Sequence, residues 1–510
     1  MLTNRQPPNI VFIVLDTQRS DRLGCYGYTR GTTPNLDAFA QQATLFESAI
    51  SPAQWTVPSH ASMFTGEPPS AHLTLQSSDA LPPIFTTLAE HLGGLGYRRT
   101  GICNNPLVGL INNNLKRGFQ DFYNYCGTVQ SRAPPPLRTF WRQDAFGFVR
   151  QTLSQVVAPI QDAFGRYSQV FQAALNPFWV PLWTRFARFK GDTPRSIRDA
   201  ARLVRQHLGA GKQSHFLFIN LMEPHLPYSP PDRFVRSFCP YLQTDREASG
   251  FMHRFNRQAV EWLTPASRPF SELQSRTLND MYDAEVAYQD DLLGDLLTVL
   301  DQPDRRDNTM VILVGDHGEM LGERQYVGHA FGVYRELIHV PLIIRWPGQT
   351  KGKRVSSTVS AARLFHTVLE VAGATAYETA CGDILDPRDQ SLQAEAKTSA
   401  AHSVHTGHYK TAHRVTAQCP VVVSEAYPPN FALQTMERHK PDLIDPMACR
   451  VTHWAIYEDS HKLIHIQDTR DELYSLTEDP GETHALRGED NDHRLHNMRS
   501  QLTTFLAEAR

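Results

Sequence analysis

Four short apolar runs stand out along the chain, at 9–15 (NIVFIVL), 214–221 (SHFLFINL), 309–314 (TMVILV) and 340–346 (VPLIIRW). Each is bounded by turn or polar residues, is rich in β-branched and aromatic side chains, and lacks the alternation of a half-wet strand. Such runs suit strands buried on both faces of a mostly parallel sheet. Helix-period patterns lie between them, at 34–42, 200–208 and 278–300. Strands alternating with helices predict a doubly wound α/β core. Beyond residue 375 the chain turns polar, Pro-bearing and His-containing over 376–450, with a short apolar run at 420–423. Next come a strand pair at 452–457 and 462–466 and a final helix near 492–509. The pattern predicts a large α/β domain over 1–375 and a smaller α+β subdomain over 376–510, packed on the first.

The candidate chemistry sits at the carboxyl ends of these runs. The first ends in Asp16, the second runs into Glu223, Pro224 and His225, and the third delivers Asp316 and His317. Ligands of open α/β sheets sit outside the carboxyl ends of the strands. One Asp there could simply cap a helix; three endings bearing acids or imidazoles predict a single metal-centred site. In the segment 55–66 (WTVPSHASMFTG), Pro58 in the first turn and Gly66 just past the end frame a short helix. Thr56 falls at its N-terminus, where free N–H groups and the macrodipole favour negative charge. A hydroxyl there is an alkoxide source if a divalent cation also binds it; from this segment alone it reads first as an N-cap.

Composition narrows the class. Fifty Lys and Arg against 53 Asp and Glu give a net charge of −3, which argues against a general nucleic-acid binder. Apolar content of 41% and charged content of 20% describe a soluble, globular chain. Seven cysteines (25, 103, 126, 239, 381, 419 and 449) are scattered, with no metal-ligand spacing, as expected in a reducing compartment. The polar residues 1–8 precede an apolar run too short for a signal peptide. The uncharged stretch 167–184 has the length of a membrane span, but its Ser, Gln, Asn and Pro residues make it a poor one. A cytoplasmic protein without a transmembrane segment is the expectation. Residues 127–196, rich in aromatics such as Phe140, Trp141, Trp179 and Trp183 and in Arg, read as an insertion. It is either a helical cap whose arginines snorkel or a lid over the site, capable of peripheral contact with an anionic lipid surface.

The chain resembles the sulfatase family of the alkaline-phosphatase superfamily. The likeness rests on 9–28 (NIVFIVLDTQRSDRLGCYGY), 33–40 (TPNLDAFA), 55–66, 117–123 (RGFQDFY), 220–231 (NLMEPHLPYSPP), 314–323 (VGDHGEMLGE), 340–348 (VPLIIRWPG) and 472–486 (ELYSLTEDPGETHAL), in this order. The resemblance implies an α/β core with a large mixed sheet, a smaller C-terminal domain with its own sheet, and one divalent metal beside the nucleophile. It places Asp16, Asp316 and His317 as metal ligands and Thr56 as the metal-bound nucleophile. His225 falls in a His-x-Pro-Tyr element that meets the ester or leaving group, and His329 at a position facing the bound anion.

Departures from the family pattern matter equally. Its usual Cys/Ser-x-Pro-Ser-Arg frame, whose Cys becomes formylglycine, reads Thr56-Val57-Pro58-Ser59-His60 here. Threonine is not a substrate for that oxidation. The second Asp of an Asp-Asp pair is Thr17, and a Lys/His pair after the next strand is replaced by Cys103, Asn104 and Asn105. The pocket thus exchanges fixed positive charge for imidazoles: His60 and His329 to hold the anion, His225 as candidate acid for the leaving oxygen, and Asn104 or Asn105 as a donor. This set resembles the Thr-dependent phosphoryl-transfer members of the superfamily, including the lipoteichoic-acid synthase type, which proceed through a covalent phospho-threonine. The expectation is a metal-dependent hydrolase of small-molecule sulfate or phosphate esters, favouring phosphodiesters or phosphonate monoesters. The alternatives are a phosphoryl transferase to an alcohol acceptor and a metal-binding scaffold without catalysis. An oxygen-rich ligand set with one imidazole suits Ca2+, Mg2+ or Mn2+, with Zn2+ also admissible.

Overall fold

The computed structural model describes residues 6–126, 189–209, 213–374, 385 and 421–509. The expected insertion therefore lies outside the described residues except for its last segment, 189–196, as does most of 376–420. A central sheet of eight strands is built from β1 (Asn9–Leu15), β2 (Thr44–Ile50), β3 (Arg98–Cys103), β4 (Asp121–Asn124), β5 (His215–Leu221), β6 (Thr309–Gly315), β9 (His339–Arg345) and β10 (Lys353–Ser360). The short strands β7 (Met320–Leu321) and β8 (Val327–Gly328) form a separate pair. The spatial order is β10-β2-β9-β6-β1-β5-β3-β4, and β9 alone runs against its neighbours. This is the mixed, mostly parallel sheet expected from the continuous apolar runs.

Both faces of the sheet are covered, which explains those runs. On β1, Ile10, Phe12 and Val14 join one core with Ala61, Met63 and Phe64 of the Thr56–Thr65 helix and Leu364, Phe365 and Val368 of the Leu364–Val371 helix. Val11, Ile13 and Leu15 join the opposite core with Ile197, Ala200 and Val204 of the Thr193–His207 helix and Leu293, Leu296 and Leu300 of the Glu272–Leu300 helix. Two predicted helices start earlier than their apolar pattern did. The patterns at 200–208 and 278–300 belong to helices that begin at Thr193 and Glu272, the latter through a Ser271–Gln274 capping box. Their first turns are largely polar, so hydrophobic period does not mark them. Residues 193–196, read as the end of the insertion, are thus the first turn of a core helix.

The C-terminal part forms an antiparallel sheet, β11 (Val422–Ala426), β12 (His453–Glu458), β13 (His461–Ile466) and β14 (Arg470–Ser475), in that order. The predicted pair is β12 and β13. On one face lies the Glu489–Glu508 helix, through Met498, Leu502 and Phe505. On the other, Tyr457, Ile464 and Tyr474 pack against Tyr326, Phe331 and Tyr334, which flank or come after β8. Lys462, fully buried, donates to the carbonyl of Val333 at 2.7 Å and pairs with buried Glu482 at 2.7 Å. The subdomain thereby buttresses the stretch that carries His329.

The Thr56–Thr65 helix ends on Gly66 with φ 76. A Cβ there would lie 2.7 Å from His366 Nε2 and 2.8 Å from Phe365 Cδ1. Gly66→Ala is expected to destabilise the protein by about 1–2 kcal/mol, from left-handed strain plus overpacking, read by chemical denaturation.

Candidate active site

The parallel register sets the site. Leu15 of β1 lies level with Leu221 of β5 and Gly315 of β6, and Cys103 of β3 with Asn220 of β5. The residues after these strands therefore emerge at one edge, and Asp16, Asn105, His225, Asp316 and His317 all come just after those ends. Asp16, Asp316 and His317 come together, each fully buried, with one ligand atom of each within 4.8 Å of the others. His317 Nε2 lies 3.9 Å from Asp16 Oδ1 and 3.5 Å from Asp316 Oδ2.

Each ligand is held by its other atom. Asp316 Oδ1 accepts the N–H groups of Thr17 and His317, at 3.2 and 2.9 Å. Asp16 Oδ2 accepts from Asn105 Nδ2. The His317 Nδ1–H donates to the Gly318 carbonyl at 2.9 Å, so the Nε2 lone pair points into the cluster. Thr17 has φ 55, unusual for a β-branched residue. That geometry delivers its N–H to Asp316, while Tyr282 donates to its carbonyl at 2.7 Å.

Asp16 Oδ1 and Asp316 Oδ2 are buried with no hydrogen-bond partner among the described residues. Burial first, then the charge of Asp316, raises the Asp16 carboxyl well above its ordinary range. Burial pushes Asp316 up to about 8, against the backbone N–H bonds that lower it. Two desolvated acids converging with an imidazole lone pair form a donor set that lacks only positive charge, as a divalent metal site requires.

Thr56 stands beside this triad. Trp55 is the helix N-cap and offers no side-chain cap, so Thr56 opens the first turn rather than capping it. Its Oγ1 lies 3.2 Å from His317 Nε2. The helix is docked on the metal loop by Ser59 Oγ, which donates to the Asp316 carbonyl at 2.7 Å, while Ser51, just after β2, donates its Oγ–H to the same atom.

The remaining predicted residues fall in different surroundings. His60, expected to hold the anion, is turned into the core. Its Nδ1 lies 2.9 Å from the Thr56 carbonyl, its Nε2 meets Asn220 Nδ2 at 3.4 Å, and its ring sits edge-on to Phe64 and Phe218. Burial lowers its pKa to about 3. A helix residue four places after Thr56 returns to the same face, and there Nδ1 also lies 3.6 Å from Asp316 Oδ2. Asn105, expected as a substrate donor, instead steadies Asp16 and accepts from Leu107 N at 2.7 Å with its Oδ1. Asn104 donates to Thr193 Oγ1 at 2.6 Å, and Thr193 donates to Glu223 at 2.7 Å.

Three imidazoles do follow one another in space, from His317 of the cluster outward, in tilted and edge-on contacts. His317 and His329 have centroids 4.6 Å apart, and His329 and His225 4.9 Å apart. Burial, then His329, lowers His225 to about 3; burial holds His329 well below its ordinary value. Both are neutral near pH 7. His329 Nδ1 meets Glu319 Oε1 at 2.7 Å, and burial pushes that carboxyl up to about 7, so the pair shares one proton. The sequence marks Glu319 only as a loop residue, because nothing local shows that His329, ten positions on, returns to it. Glu323 accepts from Leu321 N and pairs with Arg19 at 2.7 Å, holding the loop.

Removing the Asn105 amide frees Asp16 to rotate out of the cluster. Asn105→Ala is expected to weaken Mn2+ binding by about 10–100-fold, measured by competition with a fluorescent chelator.

Comparison with known proteins places this geometry in a family. The model of the Sulfatase family matches residues 8–374. The chain belongs to the sulfatase family. Among curated sulfatase relatives, the uncharacterized sulfatase YidJ of Escherichia coli is 21% identical over 506 residues, covering 98% of this chain and 86% of its own. The steryl-sulfatase of Mus musculus is 27% identical over 535 residues, covering 95% and 79%. The fold is shared with the phosphonate monoester hydrolase of Agrobacterium radiobacter, at a TM-score of 0.64 and 20% identity over 99% of this chain and 96% of that one. Membership and the buried triad together support a sulfatase-type hydrolytic site with a divalent metal. Among the described residues no helix is long and apolar enough to cross a membrane, and Cys25, Cys103, Cys126, Cys239 and Cys449 are all free.

Proposed function

We propose that this sulfatase-family protein hydrolyses small-molecule phosphodiesters or phosphonate monoesters in preference to sulfate esters, with Thr56 as the nucleophile. The observation that carries this reading is the Thr56 hydroxyl at the open end of a helix, 3.2 Å from His317 Nε2 and beside two unpartnered carboxylate oxygens. Asp16, Asp316, His317 and Thr56 would hold the cation, which when bound lowers the hydroxyl pKa and offsets charge on the ester oxygens.

The chain's own residues do the rest. Thr56 Oγ1 forms a bond to phosphorus as the bond to the alcohol oxygen breaks, and water then cleaves the ester on Thr56. The helix end favours the negative charge that develops there. Neutral His225, with Nδ1 against the Leu226 carbonyl, presents its Nε2 as an acceptor. It would carry to the leaving oxygen one proton, equal in number to the one that Thr56 gives up.

One feature favours phosphorus over sulfur. Oxidation at the carbinol carbon of threonine yields a ketone, so the aldehyde hydrate of ordinary sulfatases has no counterpart here. Among phosphorus esters, neutral imidazoles suit a singly charged diester or phosphonate ester better than a phosphomonoester dianion. The fold shared with a phosphonate monoester hydrolase accords with this choice.

The test is a set of chromogenic aryl phosphodiester, phosphonate, phosphomonoester and sulfate substrates, assayed with Mn2+, Ca2+, Mg2+ and Zn2+. Diester or phosphonate turnover should exceed sulfate turnover by about 100-fold in kcat/KM. The reverse order overturns the assignment.

A further inference from the structure

The row of imidazoles leads from the metal cluster to a segment that neither the motifs nor the family match assigns a role. The Phe189 ring meets His225 with centroids 5.6 Å apart. Thr193 ties the same segment to Asn104 and Glu223, and a Cβ on Gly191 would sit 3.0 Å from Asn104 Cβ. Between these anchors lies Lys190. Its Nζ pairs with Glu285 Oε1 at 2.7 Å, an oxygen that also accepts the Ser229 N–H at 2.6 Å. The Lys190 side chain keeps 15% exposure, while Glu285 is buried at 2%.

Charge around it is unbalanced. Glu223, bonded to Thr193 at 2.7 Å, and Glu285 flank this corner. Among the described residues, Arg19 also borders it, and it is committed to Asp21, Glu323 and the Glu319 carbonyl. His225 and His329 are imidazoles, not fixed cations. An anionic ester entering beside them meets one ammonium on a flexible stem, with a single carboxylate partner among the described residues.

We propose that Lys190 binds the non-bridging oxygens of the anionic substrate, leaving Glu285 to do so, and that Glu285 is the resting partner that competes with substrate for it. This rests on the proposed ester chemistry for its ligand class. The test therefore measures binding of inorganic phosphate to the Mn2+-loaded full chain by calorimetry, which reads out whether or not any ester turns over. Lys190→Met should weaken phosphate by about tenfold or more, Lys190→Arg should restore most of it, and Glu285→Gln should tighten it. A purely structural ion pair predicts a different pattern, with Lys190→Met and Glu285→Gln weakening phosphate alike and lowering the melting midpoint equally. That pattern, unchanged affinity in Lys190→Met, or no phosphate binding by the wild type at millimolar concentration would each overturn the assignment. If phosphate binds as described but no phosphorus ester is cleaved, the reaction assignment fails and the role of Lys190 stands.

Discussion

Thr56→Ala is expected to lower kcat on the best ester substrate by about 10^4-fold or more, because it removes the atom that forms the new bond. The helix should survive the change. Thr56 opens the first turn, Trp55 is the cap, and Ser59 still docks the helix on the Asp316 carbonyl. Mn2+ affinity should fall far less than activity, since Asp16, Asp316 and His317 remain. Thr56→Ser keeps an oxygen in the same place and should retain measurable turnover. Rapid-quench mass spectrometry on the wild type should find a phosphorylated Thr56 peptide during turnover. Activity of Thr56→Ala within tenfold of wild type would overturn the proposed role of threonine.

Stripping the metal should make stability pH-dependent, and in a defined direction. Burial raises the folded-state carboxyls of Asp16 and Asp316, the latter to about 8 from an ordinary 3.8. An acid whose folded pKa lies above its unfolded value binds its proton more tightly when folded. Its contribution is therefore fully present below the unfolded value and lost as pH rises through the folded one. The melting midpoint of the chelated protein should fall as pH rises from ~5 to ~8. Saturating Mn2+ should raise the midpoint most at the upper end of that window. Asp316→Asn carries no charge to desolvate, so it should flatten the slope and abolish the rise with Mn2+. A chelated wild type whose midpoint ignores pH, or an Asp316→Asn protein still stabilised by Mn2+, would contradict the account of the triad.

Legibility in the sequence tracks burial. The runs that form β1, β5, β6 and β9 are visible because central strands of a covered sheet are apolar on both faces. The strand β10 (KRVSSTVS), at the sheet edge, and β14 (RDELYS) are not, since exposed positions break the pattern. Among site residues, those immediately after a strand are readable, because strand ends converge. Motif position assigns His60 and Asn105 to the substrate, and packing gives them other partners. Lys190 escapes a sequence reading because it lies at the end of a segment with no signature of its own.

Sequence alone determined the sheet, the strand-end carboxylates and imidazole, and a threonine where a family of hydrolases carries cysteine or serine. These are properties of local order, in which a residue's type and its offset from an apolar run settle what it does. Tertiary structure alone decided which atoms of those residues remain without partners. It turned Asp16 Oδ1 and Asp316 Oδ2 inward, gave Asn105 to Asp16 and Glu319 to His329, and joined Lys190 to Glu285 beside the imidazoles. Such pairings span ten to nearly a hundred positions and are fixed by competition for hydrogen bonds in a largely buried site.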